Sequence, residues 1–247
     1  EDLLSKEEHT ILKAETKRIF KTLGGARDLD IVLTTLEEGG AREIPFDVVD
    51  DIRRKREDAY ARVLDTLTSR RFYLHMLDLL FFIECGAWTK AESAPHPTRG
   101  GQPLHIGAAR ILRRQWKRLR KFDRVSNLHA KKRHKFRIGA KTFRNTCDFF
   151  GDLFDGPKQI RRRARMLDAL RDLQDALGAL NDRVTMEAIL DELSGAKGAH
   201  LLKLAGLDDV SERVLLGSAR KAQKRICNAT PFWLFGDKPK RRLAVSP

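Results

Sequence analysis

Along residues 134–150, the side chains His134, Arg137, Lys141, Arg144 and Asp148 recur at spacings of three and four. On an α-helix, at about 100° per residue, these five fall within an arc of roughly 80°. Phe136, Ala140, Phe143, Cys147 and Phe150 form a second stripe, centred about a third of a turn away. Cations that only face solvent stand opposite the apolar stripe. This row stands on its flank, so the helix can pack by one stripe and present the other to a groove. The chemistry on offer is anion binding: Arg supplies a planar fork of donors that matches carboxylate or phosphate oxygens, and Lys a flexible point charge.

The neighbouring sequence reinforces that reading. From Arg99 to Arg144 there are sixteen Lys or Arg and a single acid, Asp123, a local charge of +15. The whole chain, with 49 basic and 34 acidic residues, also carries +15, so the remainder balances at 33 against 33. A localised excess of this size, with a pI near 10, calls for a polyanionic partner: nucleic acid, an anionic membrane surface or a phosphate polymer. No apolar run approaches the roughly 20 residues needed to cross a bilayer. No membrane association is expected.

The elements that must position these residues all read as helices. With 41% hydrophobic residues and only eight prolines in 247, the composition suits a helix-rich folded protein, and no strand alternation occurs. Residues 3–38 form one helical stretch, with Lys17, Lys21 and Arg27 basic. Gly24-Gly25 within it costs about 1 kcal/mol per glycine and predicts a break or a close helix crossing. Residues 46–88 are helical with an interruption near Thr68-Ser69. Residues 86–103, with three prolines and three glycines, read as a linker.

A strongly basic helix is predicted over 106–124, with Arg110, Arg113, Arg114, Lys117, Lys121 and Arg124 on one side and Ala108, Leu112, Trp116 and Leu119 on the other. After a turn at Ser126-Asn127 comes the 134–150 helix, ended by Gly156-Pro157. A helix over 158–193 carries Arg171. A last one, capped by Asp208 or Ser211 and running to Cys227, carries Arg220 and Lys224. Phe232–Phe235 is expected to dock on the core, and the basic tail 236–247 to be disordered. Cys85, Cys147 and Cys227, odd in number and beside apolar residues, read as reduced core cysteines of a cytoplasmic protein. The chain opens on Glu1 without Met, so an upstream segment is expected.

Leu23-Gly-Gly-Ala-Arg-Asp28 and Leu177-Gly-Ala-Leu-Asn-Asp182 match as L-G-x-x-x-D at an offset of 154. The same offset pairs Ile19 with Leu173 and Leu36 with Leu190, which indicates a duplication. With these motifs in view the sequence resembles the CHAD domain, an α-helical family named for its histidine. The His134-x-x-Arg137-x-x-x-Lys141-x-x-Arg144 helix resembles the family signature in its second half. Leu23-Gly…Arg27-Asp28-Leu-Asp30 and Leu177-Gly…Asn181-Asp182 resemble the segments that follow it in each half, and the 106–124 helix and the Trp88 segment also correspond. The chain departs from the pattern in two ways. The offset puts the counterpart of His134 twenty residues before Glu1, so the first signature helix is absent. Asn145 also stands where an aromatic is usual, and Asp148 where Glu is.

The resemblance implies an all-α fold of two pseudo-symmetric bundles of long antiparallel helices around a central basic groove: a first half 1–90, a linker 91–104 and a second half 105–235. It also implies binding of inorganic polyphosphate without transformation and association with polyphosphate granules. The implied binding residues are His134, Arg137, Lys141 and Arg144, with Arg110, Arg113, Arg114, Lys117, Lys121, Lys17, Lys21, Arg27, Arg171, Arg220 and Lys224 on neighbouring helices.

Catalysis finds no support in the motifs: there is no Walker loop, GxSxG, HExxH or CxxC. His129 and His134 are five apart and lie on different helix faces, so neither a metal site nor a cofactor is expected. Asp28, Asp30 and Asp182 read as Mg²⁺ ligands or, preferably, as groups that orient Arg side chains or cap turns. Two alternatives to polyphosphate binding are kept. One is a single-stranded RNA or other nucleic-acid module, disfavoured because the phenylalanines of 134–150 lie mostly on the core stripe instead of among the cations. The other is an anchoring module for an enzyme that processes phosphate polymers.

Overall fold

Two adjacent glycines do not interrupt the first helix. In the computed structural model, which describes residues 6–38, 44–85, 103–195, 197–204 and 209–234, α1 runs unbroken over Lys6–Glu38. The expected break is absent and so is the expected crossing, since a Cβ on Gly24 or Gly25 would meet nothing within 4 Å. Burial of Ile19, Ala26, Leu29, Val32, Leu33 and Leu36 outweighs the local cost of the glycines. Replacing both by Ala is therefore expected to stabilise the protein by about 1–2 kcal/mol, read as a raised thermal midpoint in circular dichroism. A lowered midpoint would mean that these glycines admit a partner.

The remaining helices are α2 (Phe46–Leu67), α3 (Arg70–Cys85), α4 (Leu104–Arg120), α5 (Ala130–Phe149), α6 (Pro157–Ser194), α7 (Gly198–Leu204) and α8 (Asp209–Asn228). Among the described residues there is no strand, and the fold is all-α. The interruption at Thr68-Ser69 is present, and a 3₁₀ turn occupies Val125–Asn127. Gly195, at φ +63°, takes the left-handed conformation just past α6, a geometry that glycine adopts without strain. No helix among the described residues is long and apolar enough to cross a membrane. Residues 86–102 of the linker, with Trp88, and also Asp208, Phe235 and the tail 236–247 lie outside the described residues, whereas Leu104, the last residue of the expected linker 91–104, opens α4.

Two expectations need correction. The 106–124 helix ends at Arg120, so Lys121 and Arg124 stand in the following turn. There the chain reverses to lay Phe122 on Phe136, with ring centroids 4.9 Å apart. Cys85 is exposed, whereas Cys147 is buried and Cys227 half-buried. α3 buries little beyond His75, and Cys85 lies roughly 80° round the helix from it. Burial pushes the Cys147 thiol far up, so it stays protonated and inert.

The chain divides into two compact units, each made of two stretches. The first comprises Glu1–Gln102 and Ala179–Arg213. Its core joins α1 residues Val32 and Leu36 to Val48 and Ile52 of α2, Met186 and Leu190 of α6, and Leu201 and Leu202 of α7. Several cations in this unit meet acids. Arg56 donates to Asp30 at 2.6 Å, Lys55 to Glu192 at 2.6 Å and Arg71 to Glu15 at 2.5 Å. Asp30 thus orients Arg56, as the sequence suggested, and also accepts from Tyr60 at 2.7 Å. Burial disfavours the Asp30 carboxylate, but the bonds from Arg56 and Tyr60 outweigh it and hold the group below the usual carboxylate range.

The second unit, Pro103–Gly178 and Val214–Pro247, contains α4, α5, the first part of α6 and most of α8. α4 meets α5 where Leu119 reaches the Cβ position of Gly139, at 3.4 Å. α5 meets α6 through Arg144 and Gln174, 3.1 Å apart. α6 meets α8 through the ion pair of Asp172 with Arg225. α8 returns to α4 through Trp116, whose Nε1 donates to the Ile226 carbonyl at 3.3 Å. The contacts close a ring of four helices. Phe232 and Trp233 dock on this unit, buried as expected, with Trp233 edge-on to Trp116 and Phe143 at 5.9 and 5.8 Å.

Candidate functional site

Twelve of the fifteen expected binding residues belong to the second unit; Lys17, Lys21 and Arg27 belong to the first. On α5 the apolar stripe packs as its spacing requires, with Phe136, Ala140, Phe143 and Cys147 buried. The cationic row therefore emerges on the flank. Arg137 and Arg144, nearest the stripe, are half-buried, while Lys141 and His134 are exposed. Arg144 donates to Gln174 Oε1 at 3.1 Å and lies 3.9 Å from Asp148. Arg137 and Lys141 meet no carboxylate among the described residues. With one acid among the twenty residues of α5, there is little to neutralise the row locally.

The direction of the row is set by packing. α4 contacts α5 at Gly139 and the turn after α4 contacts it at Phe136, on a flank roughly 120–180° round from the row. Arg144, by contrast, points the row toward α6. The α4 cations lie elsewhere: Arg110, Arg114 and Lys117 stand roughly opposite the buried Ala108, Leu112 and Leu119, with Arg113 nearby. The α4 and α5 rows thus leave the bundle on different sides and do not line one groove between these two helices. Arg220 and Lys224, one turn apart, occupy the exposed side of α8, and Arg171 is exposed and paired with Asp168 at 3.2 Å. In the first unit, Lys17 and Lys21 share an exposed side of α1, and Arg27 lies about a quarter turn round.

Two features were not legible from charge and spacing. Gln174 anchors Arg144 from α6, and its buried Nε2 finds no acceptor among the described residues. A neutral residue thirty positions away gives no signal in a charge pattern. The second is the clamp on the turn after α4. Gln223 on α8 accepts from the Val125 N–H at 2.9 Å and donates to the Asp123 carbonyl at 3.0 Å. The Asp123 carboxylate accepts from the Arg124 N–H and the Asn127 amide, which lower its pKa. The single acid of the basic stretch is thereby anchored in the turn, where it also acts on Lys132 in the first turn of α5.

Among the described residues no group of three or more His, Cys, Asp or Glu gathers as a metal site would. What the second unit offers is donors: a graded row of Arg, Lys and His on one helix flank, held in place by the aromatic core behind it. No curated protein and no solved structure matches the chain. A family model, that of the CHAD domain, matches residues 1–191, more than three quarters of the sequence. The cationic helix and both L-G-x-x-x-D stretches fall within that match, and the chain belongs to the CHAD domain family.

Proposed function

We propose that the protein binds inorganic polyphosphate without transforming it, through a basic surface centred on the α5 row. The observation that carries this reading is the row itself: Arg137 and Lys141 meet no carboxylate among the described residues, on a helix with one acid among its twenty residues. A repeating phosphate chain needs only a succession of donors, because it has no bases to read. Each exposed contact is worth about 0.5 kcal/mol. About ten acting together give about 5 kcal/mol, roughly 0.2 mM for one chain, and several copies on one polymer tighten this further. The rows on α4 and α8 extend the field around the α5 row.

The aromatic side chains favour polyphosphate over single-stranded nucleic acid. Phe136 and Phe143, the phenylalanines interleaved with the row, are buried and offer no face on which a base could stack, while the exposed Phe149 lies past the last cation of the row and about 100° round from it. The reading includes a duplicated architecture, supported by the burial of both Ile19 and Leu173 beside the two L-G-x-x-x-D stretches. It extends to tethering on polyphosphate granules, where one polymer would engage many copies.

Two measurements test the function. In competition at matched charge, long polyphosphate is expected to displace single-stranded RNA, and affinity should fall steeply with salt as condensed counterions are released. Preference for RNA would reverse the assignment. No free phosphate should be released from polyphosphate, with or without Mg²⁺; release in proportion to protein concentration would make the protein an enzyme.

A further inference from the structure

α3 is apolar almost all round, yet packs by one side, with His75 buried and Phe72, Met76, Leu79 and Phe82 half-buried. It meets α1 and α2, and His75 is its one fully buried side chain, with Nε2 3.0 Å from Thr16 Oγ1. Tyr73, Leu74, Leu77, Leu80, Phe81 and Ile83 are between 48% and 69% exposed. A helix of this composition belongs in an interior. At roughly 200 Å² for a fully exposed large side chain, the six present on the order of 600 Å². That is the upper end of what a monomer normally leaves in water, and close to the ~800 Å² that one partner gives to a standard interface. α1 and α2 add Ile11, Phe20 and Leu64 to the exposed apolar surface of the same unit.

We propose that this face of α3 is covered by the same face of a second copy of the chain, in an isologous dimer. Charge favours that occupant. α3 carries Arg70 and Arg71 against Asp78 and Glu84, a net charge of zero. The excess of the chain is concentrated at 99–144, outside α3 and the two helices it packs on. Two copies can therefore join through α3 without setting like charges against each other in the contact, and an apolar, neutral patch complements itself under a twofold axis. The joined copies would present two sets of cationic helices to one polymer.

The test is the mass in solution, which does not depend on what the basic rows bind. Light scattering coupled to gel filtration, at about 50 μM protein and about 0.5 M salt, should give twice the 28.2 kDa of one chain. High salt is chosen because it dissolves assemblies bridged by a stray polyanion and leaves an apolar contact intact. Leu77→Glu combined with Phe81→Glu should halve the mass with circular dichroism unchanged, since both side chains are more than half exposed. The milder Leu80→Lys should shift the same equilibrium toward monomer. A wild-type monomer under these conditions overturns the proposal and leaves the face to a different partner. So does a dimer that persists in a folded double variant.

Discussion

Reversing Arg137, Lys141 and Arg144 to Glu is expected to weaken binding of long polyphosphate by about 30- to 100-fold at near-physiological salt, roughly 2–3 kcal/mol. The three share one flank of α5 and none belongs to its buried stripe, so helix content should hold. The comparison that makes the result informative is a second triple reversal, Arg113, Arg114 and Lys117 on α4, which changes net charge by the same amount. Those side chains leave the bundle on another side, so they act through the general field and are screened beyond about 8–10 Å. Their loss should cost several-fold at most. Equal losses would reduce the protein to a diffuse cation without a site. Loss of helix in the α5 variant alone would show that the Arg144–Gln174 contact holds α5 against α6.

Trp233→Ala should have the largest effect on stability, about 3–5 kcal/mol in a urea titration. Trp233 is fully buried and touches Trp116, Phe143 and Phe232, so it ties α4 and α5 to the C-terminal segment in one aromatic cluster. The cavity it leaves is bounded by three rings that cannot all close in. Because Trp233 lies behind α5 and not on its cationic flank, polyphosphate affinity should be unchanged wherever the variant is folded. A cost below about 1 kcal/mol would mean that the segment after α8 is an ornament and that the second unit closes without it.

The amino-acid sequence by itself determined the fold class, the helical phase of α5 and the confinement of charge to one stretch. Phe136, Ala140, Phe143 and Cys147 could only be a buried stripe once the period was seen, and that fixed where Arg137, Lys141 and Arg144 would stand. Helical period is local, and local order is what a sequence states directly. The tertiary structure decided everything that depends on which surfaces meet. Gly24 and Gly25 read as a break or a crossing because their intrinsic cost is local, while the burial that overrides it comes from α2, α6 and α7. The basic helix stopped at Arg120 because Phe122 has a place on Phe136 and Gln223 holds the turn from a hundred residues away. The rows on α4 and α5 look alike in sequence, but packing through Leu119 and Gly139 sends them out on different sides. Gln174 became part of the cationic surface only because α6 lies against α5, a neighbour relation that no charge pattern encodes.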